Sequence, residues 1–296
     1  MSLINYEIFE AVVKHQSFLR ASEILKLSPS AISHSISKLE NTIGFPLFIR
    51  GKTGAHLTNS GEELLPYIRT ILSDVENLNQ RVAQLNGLEK GTVRIGTINS
   101  VCVSWLPDII RSFSKLYPRI ELNIFQGGYD DVVSWLHSNT VDIGFISISH
   151  ADSLQVTPVY KDQLLCIVPK GFQSLHSGYI TSKDMENQNI VRQREGYDTE
   201  TKEFINKHGL TVTTQFHIVD DQSLIAMVES GFGISIMPEL AIKHLHISNV
   251  DAYIFKPEEY RILGLASINK QLLSPAASRL QNYILKYLED NKIINV

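Results

Sequence analysis

The run Ser28-Pro29-Ser30-Ala31-Ile32-Ser33-His34-Ser35-Ile36-Ser37-Lys38-Leu39-Glu40 carries hydroxyls at helical spacing. Ser28 before Pro29 reads as an N-cap with proline at the first helical position, where a missing N–H costs nothing. Ile32, Ile36 and Leu39 repeat at helical intervals and form one buried stripe. Pro29, Ser30, Ser33, His34 and Ser37 then share the other face, which is slim, hydroxylated and uncharged until its end. The chemistry this permits is hydrogen bonding at close approach to a polar surface. Bond-making chemistry is poorly represented: no Gly-x-Ser-x-Gly elbow, Walker loop, His-Glu-x-x-His or Cys-x-x-Cys occurs, and the histidines are not clustered. Asp220-Asp221 resembles a carboxylate pair but directly precedes a helix, where capping accounts for it. Cys102 lies near a helix start, which lowers a thiol pKa, yet Cys166 lies in another lobe and is no close resolving partner. We expect no enzyme activity, cofactor or metal.

The elements that position the serine face come next. Phe18 to Leu25 reads as a short helix with Ala21, Ile24 and Leu25 inward, joined by Lys26-Leu27-Ser28 to the helix above. Two short helices on a tight turn form a helix-turn-helix, whose second helix enters a major groove. An ordinary helical hairpin is the alternative. An earlier helix, about Asn5 to His15, buries Phe9, Val12 and Val13. Arg50 to Thr58 reads as a glycine-bearing hairpin with a basic tip, a wing suited to phosphates or a minor groove; a solvated turn is the bland reading. The expected DNA contacts are Arg20, Ser28, Pro29, Ser30, Ser33, His34, Ser37, Lys38, Arg50, Lys52, Thr53 and His56. Residues 1–58 hold six Lys and Arg against four Glu, whereas the whole 296-residue chain is at −4. A mildly basic head on an acidic body suits a sequence reader with few phosphate contacts.

Ser17-Phe18 through Ala21, Ser28 through Leu39-Glu40, Gly44 through Leu47-Phe48-Ile49-Arg50, and Leu57-Thr58 through Gly61 together resemble the N-terminal domain of LysR-type transcriptional regulators. Two positions depart from that pattern. Leu19 stands where a capping Ser or Thr is common, leaving Ser17 as the cap, and His34, Thr53 and His56 stand where the family often has arginine.

Leu64, Ile68, Ile71, Val75, Leu78, Val82 and Leu85 follow at alternating intervals of four and three. Such heptads argue for a coiled-coil seam that needs a partner helix along its length. Pro66 should bend this helix, and Asn86-Gly87 ends it. In the resembled family this is the linker helix of the dimer.

From Gly91 onward strands and helices alternate, which implies parallel α/β sheets. Expected strands include 92–96, 121–125, 141–146, 164–168, 214–219, 234–237 and 261–268, with helices at 101–116, 130–136, 199–207, 222–229 and 276–288. Two similar lobes joined by two crossing strands leave a cleft between them. Gly91 to Gly96, Tyr117-Pro118 and Val228 to Ile234 with Pro238 resemble the LysR co-inducer domain, which implies a periplasmic-binding-protein-like architecture. Ligands bind beyond the C-terminal ends of such strands. Thr97, Asn99, Ser100, Gly127 and Gly128 lie there, with Phe145, Ser147, Val219 and Asp221 at later strand ends and helix starts. The stretch Gln126 to Tyr129 also faces the cleft, and Ile190 to Gln193 ends a short strand of the second lobe whose Arg192 could bring a guanidinium across, so an anion such as a carboxylate is expected.

The fold class is therefore α + α/β. A winged helix-turn-helix (1–58) precedes a dimerising linker helix (59–88) and an effector domain (91–296), with lobe I at about 91–161 and 267–296 and lobe II at about 162–266. The expected function is DNA-binding transcription regulation in answer to a small molecule, with RNA polymerase and further copies of the chain as partners. The resemblance implies tetramers built from two dimers. A solute-binding protein with an added helical domain, a redox-sensing regulator using Cys102, and an enzyme using the cleft are the rivals. The first residues lack a basic and an apolar region, and no apolar run approaches the roughly 18 residues of a membrane span. A cytoplasmic location is expected.

Overall fold

The computed structural model describes residues 2–51, 54–197, 199–210, 216, 218–245 and 247–296. The chain divides into two compact units, Met1–Leu88 with the segment His137–Thr140, and Glu89–Leu136 with Val141–Val296.

In the first unit, helices α1 (Leu3–His15), α2 (Phe18–Leu25) and α3 (Pro29–Ile43) precede strands β1 (Phe48–Gly51) and β2 (Gly54–Leu57) and helix α4 (Asn59–Leu85). Ser17 caps α2 by accepting from the Arg20 amide, and Ser28 caps α3 by accepting from the Ala31 amide, both at 3.2 Å. Each cap contributes about 1 kcal/mol. Lys26, left-handed at φ 54°, ends α2 and makes the sharp turn. Ile8, Phe9, Val12, Ala21, Ile32, Ile36 and Leu39 fill the core beneath β1. Ile24, expected inward, is 53% exposed; the inner side of so short a helix is taken by Ala21 and Leu25. Val13 is only partly buried.

The wing is tied to the helices in two places. The Glu40 carboxylate accepts from the Leu47 and Phe48 amides at 2.7 and 3.2 Å. The Ala55 amide donates to the Gln16 carbonyl at 2.8 Å. That approach requires Gly54, since a Cβ there would lie 2.6 Å from the same carbonyl, on a backbone at φ +122°.

Helix α4 is assigned as one 27-residue α-helix through Pro66. Its start departs from the expected seam: Leu64 and Ile68 pack, with Leu65 and Leu72, against the first unit's own core. Arg69 completes the attachment, its Nε and Nη2 donating to Glu10 of α1 at 3.1–3.2 Å. The matching stripe is thus supplied from within the chain for the first two seam positions. Farther along, Val75 is half-buried, and Ile71, Leu78, Val82 and Leu85 are exposed.

The second unit comprises β3 (Gly91–Thr97), α5 (Asn99–Ser104), α6 (Leu106–Leu116), β4 (Ile120–Gln126), α7 (Tyr129–His137), β5 (Ile143–Ser147), β6 (Gln155–Pro169), β7 (Tyr179–Ile180), α8 (Thr199–His208), α9 (Asp221–Glu229), β8 (Ser235–Pro238), α10 (Glu239–Ile242), β9 (Val250–Phe255), β10 (Tyr260–Ser267) and α11 (Pro275–Asp290). Strands lie in the order β4-β3-β5-β10-β6-β9-β7, with β8 also on β6. β3 pairs in parallel with β4 and β5, while β10 runs antiparallel to β5 and β6. The first part of the 15-residue β6 pairs with β10, and its second part pairs with β8 and β9. Two lobes therefore share β6 and β10 as crossing strands.

Several local expectations change. The helix expected over 101–116 is two helices divided at Trp105, because Pro107 opens the second. The strand expected at 164–168 is the second half of β6. Around Ile190 and Gln193 there are only isolated bridges, to Ile234 and Ile218. Of the strand expected at 214–219, residues 214, 215 and 217 lie outside the described residues, and Ile218 forms an isolated bridge. Among the described residues no helix is long and apolar enough to cross a membrane.

Candidate functional site

Two surfaces carry the polar chemistry, one in each unit. On α3, Ser28, Pro29, Ser30, His34 and Lys38 are exposed, and Ser33 and Ser37 are half-buried. Arg50 reaches from β1 to donate from Nη1 to Ser33 Oγ at 2.9 Å, with its guanidinium 4.4 Å over the Phe18 ring. The wing and α3 are thereby joined by one side chain. A guanidinium has five N–H donors in a planar fork, so this one keeps donors for a phosphate or a base edge while its position is already set. Arg20 and His56 are exposed; Lys52 and Thr53 lie outside the described residues.

In the second unit a polar network spans the lobes. Arg261 of β10 is opposite Asp162 of β6 in the register, and both are buried. Its guanidinium donates to Asp162 at 2.8 Å from Nε, to Tyr129 Oη at 2.8 Å and to Ser100 Oγ at 2.8 Å. Tyr129 donates in turn to Glu200 of α8 at 2.6 Å. Asp221, at the start of α9, accepts from Asn99 at 2.6 Å and from Gln193 at 2.7 Å. Asp220 is the true cap of α9, accepting from the Ser223 amide at 2.8 Å, so the two neighbouring aspartates have separate roles. Burial holds the Asp221 carboxyl above its usual range, only partly offset by its amide donors and by Arg261. Burial also raises the Tyr129 hydroxyl, and Tyr129, Asp162 and Glu200 together raise Arg261 against its desolvation.

Asn99, Ser100, Tyr129, Gln193, Glu200, Asp221 and Arg261 of this network line a cavity of about 50 Å³, or about 640 Å³ when space opening to solvent is counted. Of the expected effector residues, Asn99, Ser100, Gly127, Gly128, Val219 and Asp221 line it. Ser147 instead lines a neighbouring cavity of about 390 Å³, which shares Leu164, Glu200 and Arg261 with the first. Phe145 is buried in lobe I against Trp105, and Thr97 is buried with its hydroxyl on the Ile98 carbonyl. Neither lines either cavity, and Arg192 does not line them. The lining guanidinium is Arg261, already paired with Asp162, so the expected anionic effector meets no uncommitted cation among the described lining residues. Sequence reasoning missed Arg261, Asp162 and Glu200, and it placed the stretches ending at Tyr129 and Gln193 by the cleft without singling out those two side chains. Arg261, the one charge in the otherwise apolar β10, was the available signal, since such charges are buried only as pairs; Asp162 follows Lys161 in β6 and carries no such mark.

The cysteines do not form a reactive pair. Burial pushes both thiols up, Cys102 in lobe I and the fully buried Cys166 within β6, the direction opposite to activation.

A winged helix-turn-helix joined through a long helix to a two-lobed domain with a polar cavity between its lobes defines a ligand-responsive DNA-binding protein. Comparison with known proteins agrees. Residues 3–62 match the bacterial regulatory helix-turn-helix protein, lysR family, and residues 86–289 match the LysR substrate binding domain. The uncharacterized HTH-type transcriptional regulator YvbU of Bacillus subtilis is 26% identical, over 90% of this chain and 91% of its own length. A full-length OxyR variant from Pseudomonas aeruginosa shares the fold at a TM-score of 0.75 and 19% identity, with 97% of each chain covered. Full-length CbnR, solved in complex with its target DNA, superposes at a TM-score of 0.65 and 16% identity, covering 97% of this chain and 99% of that one. The chain belongs to the LysR family: it is a DNA-binding transcriptional regulator with an effector-binding domain.

Proposed function

We propose that this regulator binds a dyad promoter site as a dimer, or as a tetramer of two dimers, and that a small metabolite held between Asn99, Ser100, Gly128 and Asp221 changes how it sits on that site. Recognition is by the α3 face from Ser28 to Lys38 together with Arg50, with Arg20, His56 and the wing residues Lys52 and Thr53 on flanking phosphates. The observation that carries this reading is the Phe18–Arg50–Ser33 cluster, which holds a cation against the serine face before any DNA arrives. Pairing through the exposed part of α4, from Ile71 to Leu85, would place two such faces at half-site spacing. The full-length CbnR structure in complex with target DNA, whose fold this chain shares, supports DNA as the partner. The protein works by binding, not turnover, and acts in the cytoplasm beside RNA polymerase. Footprinting of the purified protein on the promoter DNA flanking its own gene tests this: two protected segments about one helical turn or a multiple apart are expected, and a single protected half-site would overturn the dyad reading.

A further inference from the structure

We infer that the effector of this chain is a small cation, an ammonium or amidinium group on a compact and partly apolar body, received between Glu200 and Asp221. The inference rests on reading the inter-lobe cavity as the effector site and specifies what that site accepts. Both carboxylates are only 7% exposed, and both line the cavity. Asp221 receives amide N–H groups from Asn99 and Gln193, and Glu200 receives the Tyr129 hydroxyl. Neutral donors orient a carboxylate without cancelling its charge. Neither group has a salt-bridge partner among the described residues.

The one guanidinium in the described lining acts on both acids without cancelling their charge. Arg261 is neutralised by Asp162, with Nε and Nη2 both on the same carboxylate at 2.7–2.8 Å, and its other donors meet Tyr129 and Ser100. Beyond this closed pair the cavity wall carries two negative charges. Buried charge is costly until it is paired. A cation entering the cavity finds two acids in its lining to pair with, whereas a carboxylate would add a third negative charge to that wall. Burial holds Asp221's carboxyl above its usual range, and the Asn99 and Gln193 amides and Arg261 offset this only in part. The enclosed 50 Å³ suits an ammonium head. Ile98, Leu224, Met237 and Pro238 offer apolar surface to the body that carries it.

The test is thermal unfolding of the full-length protein with matched amines and acids: butylamine against butyrate, 1,4-diaminobutane against succinate, benzylamine against benzoate, each to 10 mM. At least one amine is expected to raise the unfolding midpoint while its matched acid does not. Asp221→Asn and Glu200→Gln, both near-isosteric, should each weaken that amine's binding at least tenfold. Stabilisation by acids that grows stronger in Asp221→Asn would leave the cavity as the effector site and overturn the cation. No stabilisation by any amine overturns the cation as well. Amine binding that both variants leave unchanged would overturn the cavity reading itself.

Discussion

Ser33 and Asp221 show how much one side chain's partner decides. Ser33 lies on the face expected to meet DNA, and it is the acceptor that holds Arg50 in place. In Ser33→Glu the new carboxylate should capture that guanidinium and turn negative charge toward the duplex. Operator affinity should fall by at least about 100-fold, as for loss of a good bidentate contact and added repulsion, with the unfolding midpoint little changed; gel retardation at fixed salt measures it, and undiminished binding would falsify the assigned face. Asp221 gives a pH signature. Its carboxyl is held above the ordinary range when folded, so folding favours the protonated form. Stability is therefore lost as pH rises from the ordinary carboxylate range through the raised value. The midpoint of the parent minus that of Asp221→Asn should become less favourable to the parent across that window. A difference that stays flat from pH 4 to pH 8, read by calorimetry, would show that Asp221 titrates normally. Ser100 was legible as a polar residue at a helix start, but not as an acceptor for Arg261. Its removal therefore disturbs the lobe network as well as any ligand contact.

At the scale of elements, α4 does two jobs along one helix. Its first three turns belong to the winged-helix core through Leu64 and Ile68, and the later seam positions Ile71, Leu78, Val82 and Leu85 are exposed on the single chain. Heptad spacing marks all seven positions alike, because periodicity reports that a face is apolar and not what covers it. Leu78→Arg separates the two roles. Leu78 is 63% exposed, so the monomer should tolerate the change, while a paired seam would bury an unpartnered charge at a cost of several kcal/mol. Light scattering at micromolar concentration should then report a monomer, and an intact dimer would remove Leu78 from the interface. The caps illustrate the more readable side: Ser28-Pro29 announced the start of α3 from local chemistry alone, and Ser28→Ala should cost about 1 kcal/mol in chemical denaturation.

Across the whole molecule, each unit has its own apolar core, one around Phe9, Ile32 and Leu39 and others beneath the crossing strands of the second unit. Calorimetry should resolve two transitions. Arg261→Ala leaves Asp162 buried without its cation, so it should lower the transition of the second unit by about 3–5 kcal/mol of stability and leave the first in place. Equal loss from both transitions would mean that the units unfold as one.

The amino-acid order by itself determined the winged helix-turn-helix, the linker helix and the alternating two-lobed domain, because caps, heptads and strand–helix alternation are local signals written within a few residues of where they act. It also marked Asn99, Ser100, Gly127 and Gly128 as a polar rim, since strand ends in open α/β sheets are where such a rim forms. Only the tertiary structure decided which charges meet. Arg261 lies 99 positions from Asp162 and 161 from Ser100, and Asp221 finds Asn99 from the other lobe. The balance of charge in the cavity is a sum over residues that are neighbours only after the crossing strands bring the lobes together, and no local pattern can carry it.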